Sequence, residues 1–194
     1  LCDEKFYCHM DLGVLGRHNT MNALAVAATS WVMGIPGQKV TDGVKAFHGA
    51  GRRMEYKGEY RGAKVYDDYA HHPDELRATL EAVRGMGDHR IVLAFQPHTY
   101  TRTKLLMDDF IRELQKADVV VLAEIYAARE SNTIGISSAD LAAQIPGSIY
   151  CETLQDVTDC LRSIVREGDI VLTMGAGDIF RAGEALLSGE DSKK

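Results

Sequence analysis

Ile91-Val92-Leu93-Ala94-Phe95 runs directly into Gln96-Pro97-His98-Thr99-Tyr100-Thr101-Arg102-Thr103. Five apolar residues in a row read as a strand buried on both faces, as in parallel sheets covered by helices. The polar stretch behind it leads into a helix expected from about Arg102 to Lys116. Outward from this unit the same rhythm repeats. Pro73 to Met86 reads as a helix with proline at its first position. Val119 to Ala123 is a second apolar strand, and Ser137 to Gln144 a helix capped by Ser137 or Ser138. Ile149-Tyr150-Cys151 is short and extended, before a helix from Leu154 to Arg166. Asp169 to Met174 is the last strand and Asp178 to Leu187 the last helix. Strands alternating with amphipathic helices specify an α/β fold with a doubly wound, mostly parallel sheet.

The first quarter of the chain reads differently. Phe6 to Leu12 has the pattern of a short strand. A helix rich in Ala and Leu is expected from His18 to Met33, closed by Gly34, and a second from Lys39 to Phe47. Gly49-Ala50-Gly51 then looks like a hinge, followed by a hairpin of Arg53–Tyr60 and Lys64–Asp68 joined at Arg61-Gly62. The domain boundary is placed at that hinge, giving residues 1–48 and 49–194.

Composition limits the possible functions. Hydrophobic content of 45% and charged content of 26% suit a globular chain with a core. A formal charge of -6 with dispersed basic residues argues against a nucleic-acid partner. No apolar run reaches the roughly 18 residues of a membrane span, and the opening residues lack the pattern of a signal peptide. Cys2, Cys8, Cys151 and Cys160 have neither CxxC spacing nor histidines at zinc spacing. They read as free thiols of a cytoplasmic protein, and no metal site is expected in this chain. The chain opens on an apparent strand with no preceding Met, as a piece of a longer protein would, and the tail from Ser188 reads as solvated.

In doubly wound sheets, ligands bind beyond the carboxyl ends of the strands. The polar clusters fall there: Asp67-Asp68-Tyr69-Ala70-His71-His72, Gln96 to Arg102, Glu124 to Glu130, and Gly175-Ala176-Gly177-Asp178. His98 and Arg102 at a helix start oppose the helix dipole unless an anion is bound there, or unless Arg102 pairs with a surface acid. His71 shares a short loop with Asp68 and Tyr69, whereas His72 reads equally well as a cap. Asp68 after a strand suits ribose hydroxyls. Asn19 and Asn22, three apart on one helix face, suit an adenine edge, although Asn19 alone is also explained as an N-cap. Arg52 and Arg53 are either phosphate ligands or a solvated strand edge. The Gly175–Asp178 turn needs no more than tight strand–helix packing. No GxxxxGK[ST] phosphate loop occurs.

Taken in order, Gly16-Arg17-His18-Asn19-x-x-Asn22-Ala23, Gly49-Ala50-Gly51-Arg52-Arg53, Asp67-Asp68-Tyr69-Ala70-His71-His72-Pro73, Phe95-Gln96-Pro97-His98-x-Tyr100-x-Arg102-Thr103, Glu124-Ile125-Tyr126-Ala127-Ala128 and Gly175-Ala176-Gly177-Asp178-Ile179 resemble the Mur ligases. The closer likeness is to the branch that joins L-alanine to UDP-N-acetylmuramate. Differences from its usual pattern are Leu15 for proline, Thr99 for arginine and Arg129 for glycine. The resemblance implies that residues 1–48 end a central ATPase domain. It also implies that 49–194 form a Rossmann-like carboxyl-terminal domain, able to close over ATP through the glycine hinge. It implies an ATP-dependent ligase of peptidoglycan precursor synthesis. ATP phosphorylates the muramoyl carboxylate, and the amine of L-alanine attacks the acyl phosphate. Asn19 and Asn22 would contact adenine, Asp68 the ribose and Arg53 the phosphates. Tyr69 and His71 would face the reacting groups, and His98 and Arg102 would hold the alanine carboxylate. The phosphate loop and the Mg2+ ligands would lie in upstream domains of the same protein.

Two other readings stay open on the residues alone. One is a murein tripeptide recycling ligase, which would differ around Phe95 to Thr103. The other is a nucleotide-binding module without catalysis. Lacking a phosphate loop, the 194-residue chain by itself is expected to show no ligase turnover. Amide product formed by the purified chain, followed by chromatography, would contradict this.

Overall fold

The computed structural model describes residues 5–14 and 16–189, without the side chains of Arg17 and His18. Cys2, Leu15 and the tail from residue 190 therefore lie outside the described residues. The chain divides into two compact units, Leu1–Gly51 and Arg52–Lys194, so the division falls at the end of the Gly49-Ala50-Gly51 stretch.

The first unit holds α1 (Arg17–Val32) and α2 (Gly37–Ala46). Gly34, at φ 70°, ends α1, and α2 begins at Gly37 behind Pro36, two residues before its expected start. Residues 6–12 do not form the expected strand. Extended backbone becomes a strand only against a hydrogen-bonded neighbour, and none of the described residues pairs with this segment. It is tied down by side chains: the Tyr7 hydroxyl donates to Ile35 O at 2.6 Å, and Thr41 Oγ1 to His9 O at 2.7 Å. Tyr7 also meets Trp31 edge-on at 5.1 Å. The asparagine cap is corrected too. Gly16 occupies the N-cap of α1 without a side-chain bond, and Asn19 sits inside the first turn.

The second unit is built on a six-stranded sheet of order β1-β2-β6-β3-β4-β5. Its strands are β1 (Glu55–Tyr60), β2 (Ala63–Asp68), β3 (Ile91–Phe95), β4 (Val119–Ala123), β5 (Ile149–Cys151) and β6 (Ile170–Met174). Only the β1–β2 hairpin is antiparallel. Its two-residue turn has Arg61 at φ 49° and Gly62 at φ 77°, the positive pair that matches hairpin twist.

Alternation along the strands divides the core between the two faces. Ile91, Leu93, Phe95, Leu122, Leu172 and Met174 pack with α3 (Pro73–Arg84), α5 (Met107–Leu114) and α6 (Ser138–Ala142). Val92, Ala94, Val121 and Val171 face α7 (Leu154–Ile164) and α8 (Phe180–Ser188). The central strands β3 and β4 are therefore apolar at every position, which is why the sequence shows runs rather than alternation there.

The helix expected from Arg102 to Lys116 is two helices. α4 (Tyr100–Leu105) stops at Leu106, where φ -109° and ψ 23° leave the helical region, and α5 restarts at Met107. The break separates two demands. α4 stays at the strand ends, while α5 turns Phe110 and Leu114 fully into the core.

Register then sets the site. Asp68, Met174 and Phe95 are lateral neighbours, and Phe95 in turn pairs with Leu122. The residues emerging next, Tyr69, Gly175, Gln96 and the Ala123-Glu124 step, therefore leave the sheet along one edge.

Candidate active site at the carboxyl ends of the strands

At this edge the organising group is Arg52, the first residue of the second unit, held at φ 56°. Its Nε donates to Asp67 Oδ2 at 2.7 Å, Nη2 to Gly175 O at 2.7 Å and Nη1 to Gly177 O at 3.1 Å. The guanidinium lies 5.0 Å from the ring centre of Tyr69 and 4.6 Å from that of Phe180. Asp67 is 1% exposed and also accepts from Thr173 Oγ1 at 2.7 Å. Arg52 is thus committed inside the protein, and the solvated-edge reading does not hold for it. Arg53 is the arginine that faces outward, with Nη1 3.8 Å from Glu75 and the side chain 51% exposed.

Asp68 is 4% exposed, and both its oxygens accept from backbone amides, Met54 N at 2.9 Å and Ala70 N at 2.8 Å. Burial pushes this carboxyl above its ordinary range, against the two amides and the charge of Arg53. His71 lies in the turn that follows. Its Nδ1 is 3.0 Å from Tyr69 O, and a carbonyl only accepts, so the neutral form of the ring carries its proton on Nδ1 and presents a lone pair at Nε2. His72 is the N-cap of α3: Asp74 N donates to its Nδ1, and Glu75 returns the bond to the His72 amide at 3.2 Å. The Glu75 carboxyl sits below its ordinary range. Burial opposes this, but the His71 amide, the charges of His71 and Arg53, and the His72 amide outweigh it.

From β3, Gln96 is 5% exposed and closes onto the glycine turn. Its Oε1 accepts from Asp178 N at 2.9 Å and Ile179 N at 3.1 Å, and its Nε2 donates to Asp178 Oδ1 at 2.9 Å. The two glycines exist for this approach. A Cβ on Gly175 would lie 2.7 Å from Gln96 O, and one on Gly177 would meet Gln96 Oε1 and lie 2.6 Å from the Tyr126 ring. Tight packing accounts for the Gly175–Asp178 turn.

His98 and Arg102 are one helical turn apart, with Arg102 Nη1 3.5 Å from His98 Nδ1. Arginine only donates, so in this geometry His98 keeps its proton on Nε2. His98 stacks on Tyr126 with ring centres 5.7 Å apart, and His71 lies 5.7 Å away on the other side. Tyr69 meets His71 at 5.5 Å. Tyr69, His71, His98 and Tyr126 thus form a continuous ring ladder across the strand ends. The Thr101 N–H group at the start of α4 is taken: Glu130 accepts from Thr101 N at 2.9 Å and from its hydroxyl.

The fold therefore brings Arg53, Asp68, Tyr69, His71, His98 and Arg102 to one edge of the second unit. Asn19 and Asn22 belong to α1 of the first unit, with Asn22 Nδ2 3.4 Å from Asn19 Oδ1. Sequence reasoning assigned no site role to Gln96, Tyr126 or Glu130, which it placed only within polar clusters after strands, and left Arg52 open between a phosphate ligand and a solvated edge. Among the described residues no group of three His, Cys, Asp or Glu side chains is arranged to hold a metal ion, and no helix is long and apolar enough to cross a membrane. Cys8, Cys151 and Cys160 are free thiols.

Residues 52–177 match the family described as Mur ligase, glutamate ligase domain. The UDP-N-acetylmuramate–L-alanine ligase of Lachnospira eligens is 47% identical over 180 residues, covering 91% of this chain and 39% of that protein. Its counterpart from Caldanaerobacter subterraneus is 43% identical over 194 residues, 98% of this chain and 42% of that protein. The crystal structure of the Thermotoga maritima UDP-N-acetylmuramate-alanine ligase superposes with a TM-score of 0.81 at 29% identity, over 99% of this chain and 42% of that one. A murein peptide ligase from Psychrobacter arcticus shares the fold at a TM-score of 0.65 and 22% identity, over 92% of this chain and 38% of that one. The chain spans about two fifths of the length of these relatives.

Burial first, then the positive charges of Arg102 and His71, hold the His98 imidazole below its ordinary value of 6.5, with Glu130 pulling back. A lowered folded value means the unfolded chain takes the proton first, so His98 withdraws stability as pH falls through 6.5. An imidazole-detected NMR titration is expected to place His98 below 6.5, and Arg102→Ala to move it upward. A midpoint at or above 6.5 in the wild-type chain, or one unmoved by the substitution, contradicts this electrostatic account.

Proposed function

Because the chain belongs to the Mur ligase family, we propose that it is the carboxyl-terminal part of an ATP-dependent ligase. That enzyme joins L-alanine to UDP-N-acetylmuramate in the cytoplasm, for peptidoglycan precursor synthesis. The observation that carries this reading is the pairing of His98 and Arg102 at the start of α4, beside His71. An Nε2–H and a guanidinium on adjacent turns offer directed donors to a small carboxylate. The apolar and aromatic surroundings keep those donors partly dehydrated, where a charged hydrogen bond is stronger than in water.

In this reading residues 1–48 close a central ATPase domain and 49–194 form the domain that receives the amino acid. Phosphorylation by ATP turns the inert muramoyl carboxylate into an acyl phosphate, and the amine of L-alanine displaces the phosphate. Holding the alanine carboxylate at His98 and Arg102 aims its amine, which is catalysis by positioning. His71, with Nε2 unprotonated, faces the reacting groups and is suited to accept the proton that the amine loses, with Tyr69 beside it. Arg53 takes the nucleotide phosphates. Asp68 offers its remaining lone pairs to the ribose hydroxyls, and Asn19 and Asn22 supply adenine contacts on their own unit. Mg2+ would be held by residues beyond those described here, and no step is routed through it.

The test uses the complete reading frame with UDP-N-acetylmuramate and Mg-ATP, following ADP release. Turnover is expected with L-alanine and not with L-Ala-γ-D-Glu-meso-diaminopimelate; the reverse would assign the site to a tripeptide ligase, and neither to a binding module. In the same assay Arg102→Ala is expected to cost on the order of 2–3 kcal/mol in L-alanine binding. That corresponds to roughly a 30- to 150-fold rise in its KM, with the KM for ATP little changed. An unmoved alanine KM removes Arg102 from the site.

A further inference from the structure

We propose that Glu130 is a positioning residue for the amino-acid site, holding the start of α4 so that His98 and Arg102 keep the geometry that receives the substrate carboxylate. The proposal rests on the function given above. Glu130 lies 29 residues from Thr101 in sequence, yet its two oxygens take both the amide and the hydroxyl of Thr101.

Three further observations make this more than a surface contact. The segment it holds is strained: Thr99 is a β-branched residue at φ 69°, a conformation that persists only where neighbours enforce it. The enforcement comes from the loop that carries Glu130. Thr99 N donates to Tyr126 O at 2.9 Å, Tyr126 N to Pro97 O at 2.9 Å, and Tyr126 stacks on His98. The loop then turns back through Ala128 at φ 55°, with Glu130 N bonded to Ala127 O at 2.9 Å, which delivers the carboxylate to α4.

Charge gives the second reason. α4 has no acidic residue of its own in its first turn, and Arg102 is turned to His98 just before the helix. Glu130 supplies an anion to this segment from outside the helix, and its charge acts on His98 against that of Arg102. Its carboxyl is held below its ordinary range by the Thr101 hydroxyl first and then the Thr101 amide, so it stays ionised.

Third, Glu130 does not consume the proposed binding group. Arg102 is turned toward His98, and the Glu130 oxygens are engaged by Thr101. This separates a strut from an internal competitor for the substrate carboxylate.

The test compares wild type, Glu130→Ala and Glu130→Gln in the full-length enzyme with L-alanine and ATP. Glu130→Ala is expected to raise the KM for L-alanine at least tenfold while the KM for ATP stays within twofold. Glu130→Gln should recover part of that loss, since its amide oxygen still accepts from Thr101. An unchanged alanine KM overturns the proposal. A lowered one overturns it in favour of a competitor, and equal rises for both substrates overturn it in favour of general destabilisation. Wild-type enzyme that is folded but turns over without L-alanine, or not at all, would instead defeat the underlying functional reading, and the positioning role with it.

Discussion

One guanidinium determines how the strand ends meet. Arg52 sits against the carboxyl ends of β2 and β6, bonded to Asp67, Gly175 O and Gly177 O and sandwiched by Tyr69 and Phe180. Two backbone carbonyls and the Oδ2 of a carboxylate that is 1% exposed would otherwise end there without this donor. A buried acceptor left without a donor costs about 1–3 kcal/mol, and more when charged. Satisfying all three with one planar, five-donor group fixes the distance between the β2 loop and the glycine turn. The backbone follows: Tyr69 N bonds Arg52 O at 2.7 Å and Gly175 N bonds Asp68 O at 3.1 Å. Gln96 extends the brace from β3 to Asp178 and Ile179.

With that frame set, the candidate site follows from topology. β2, β3 and β4 release His71, His98 and Tyr126 at one edge, where Tyr126 stacks on His98 and His71 meets His98 at a tilt. Placing β6 between β2 and β3 leaves room for the glycine turn, whose missing side chains let Gln96 and Tyr126 approach. Polar work is divided among the carboxylates. Asp67 is buried and holds the Arg52 and Thr173 side chains, Asp68 is buried and holds backbone amides, Glu75 caps α3, and Glu130 caps α4. Of the cations at this edge, Arg53 lies 3.8 Å from Glu75 and Arg102 turns to His98.

Much of this was legible in the chain because strands buried on both faces advertise themselves. Ile91–Phe95 and Val119–Ala123 are unbroken apolar runs and Ile170–Met174 is interrupted only by Thr173, so the polar residues after each fall at the carboxyl ends of the strands, where sheets of this kind bind ligands. The placement of His98 and Arg102 was readable on that ground, and that of His71 from the short loop it shares with Asp68 and Tyr69 after β2. Roles set by distant partners were not readable. Arg52 meets Gly175 and Gly177 across more than 120 positions, and Glu130 meets Thr101 across 29. Residues 6–12 looked like a strand because β propensity reports a pleated surface and says nothing of a neighbour. The helix break at Leu106 was hidden because the apolar spacing of α5 carries on through it; what breaks there is backbone geometry, with no glycine or proline to mark it. Asn19 resembled a cap, yet the helix begins two residues before it, behind Gly16.

The claim that Arg52 holds the strand ends together is tested most directly by amide hydrogen exchange on the chain and on Arg52→Lys. Lysine keeps the charge but cannot reach three acceptors in one plane. The account predicts faster exchange at Tyr69, Gly175, Asp178 and Ile179, with the central amides of β3 and β6 unchanged. Equal protection at those four amides in both proteins would contradict it, and would mean that the strand ends are held by the sheet alone.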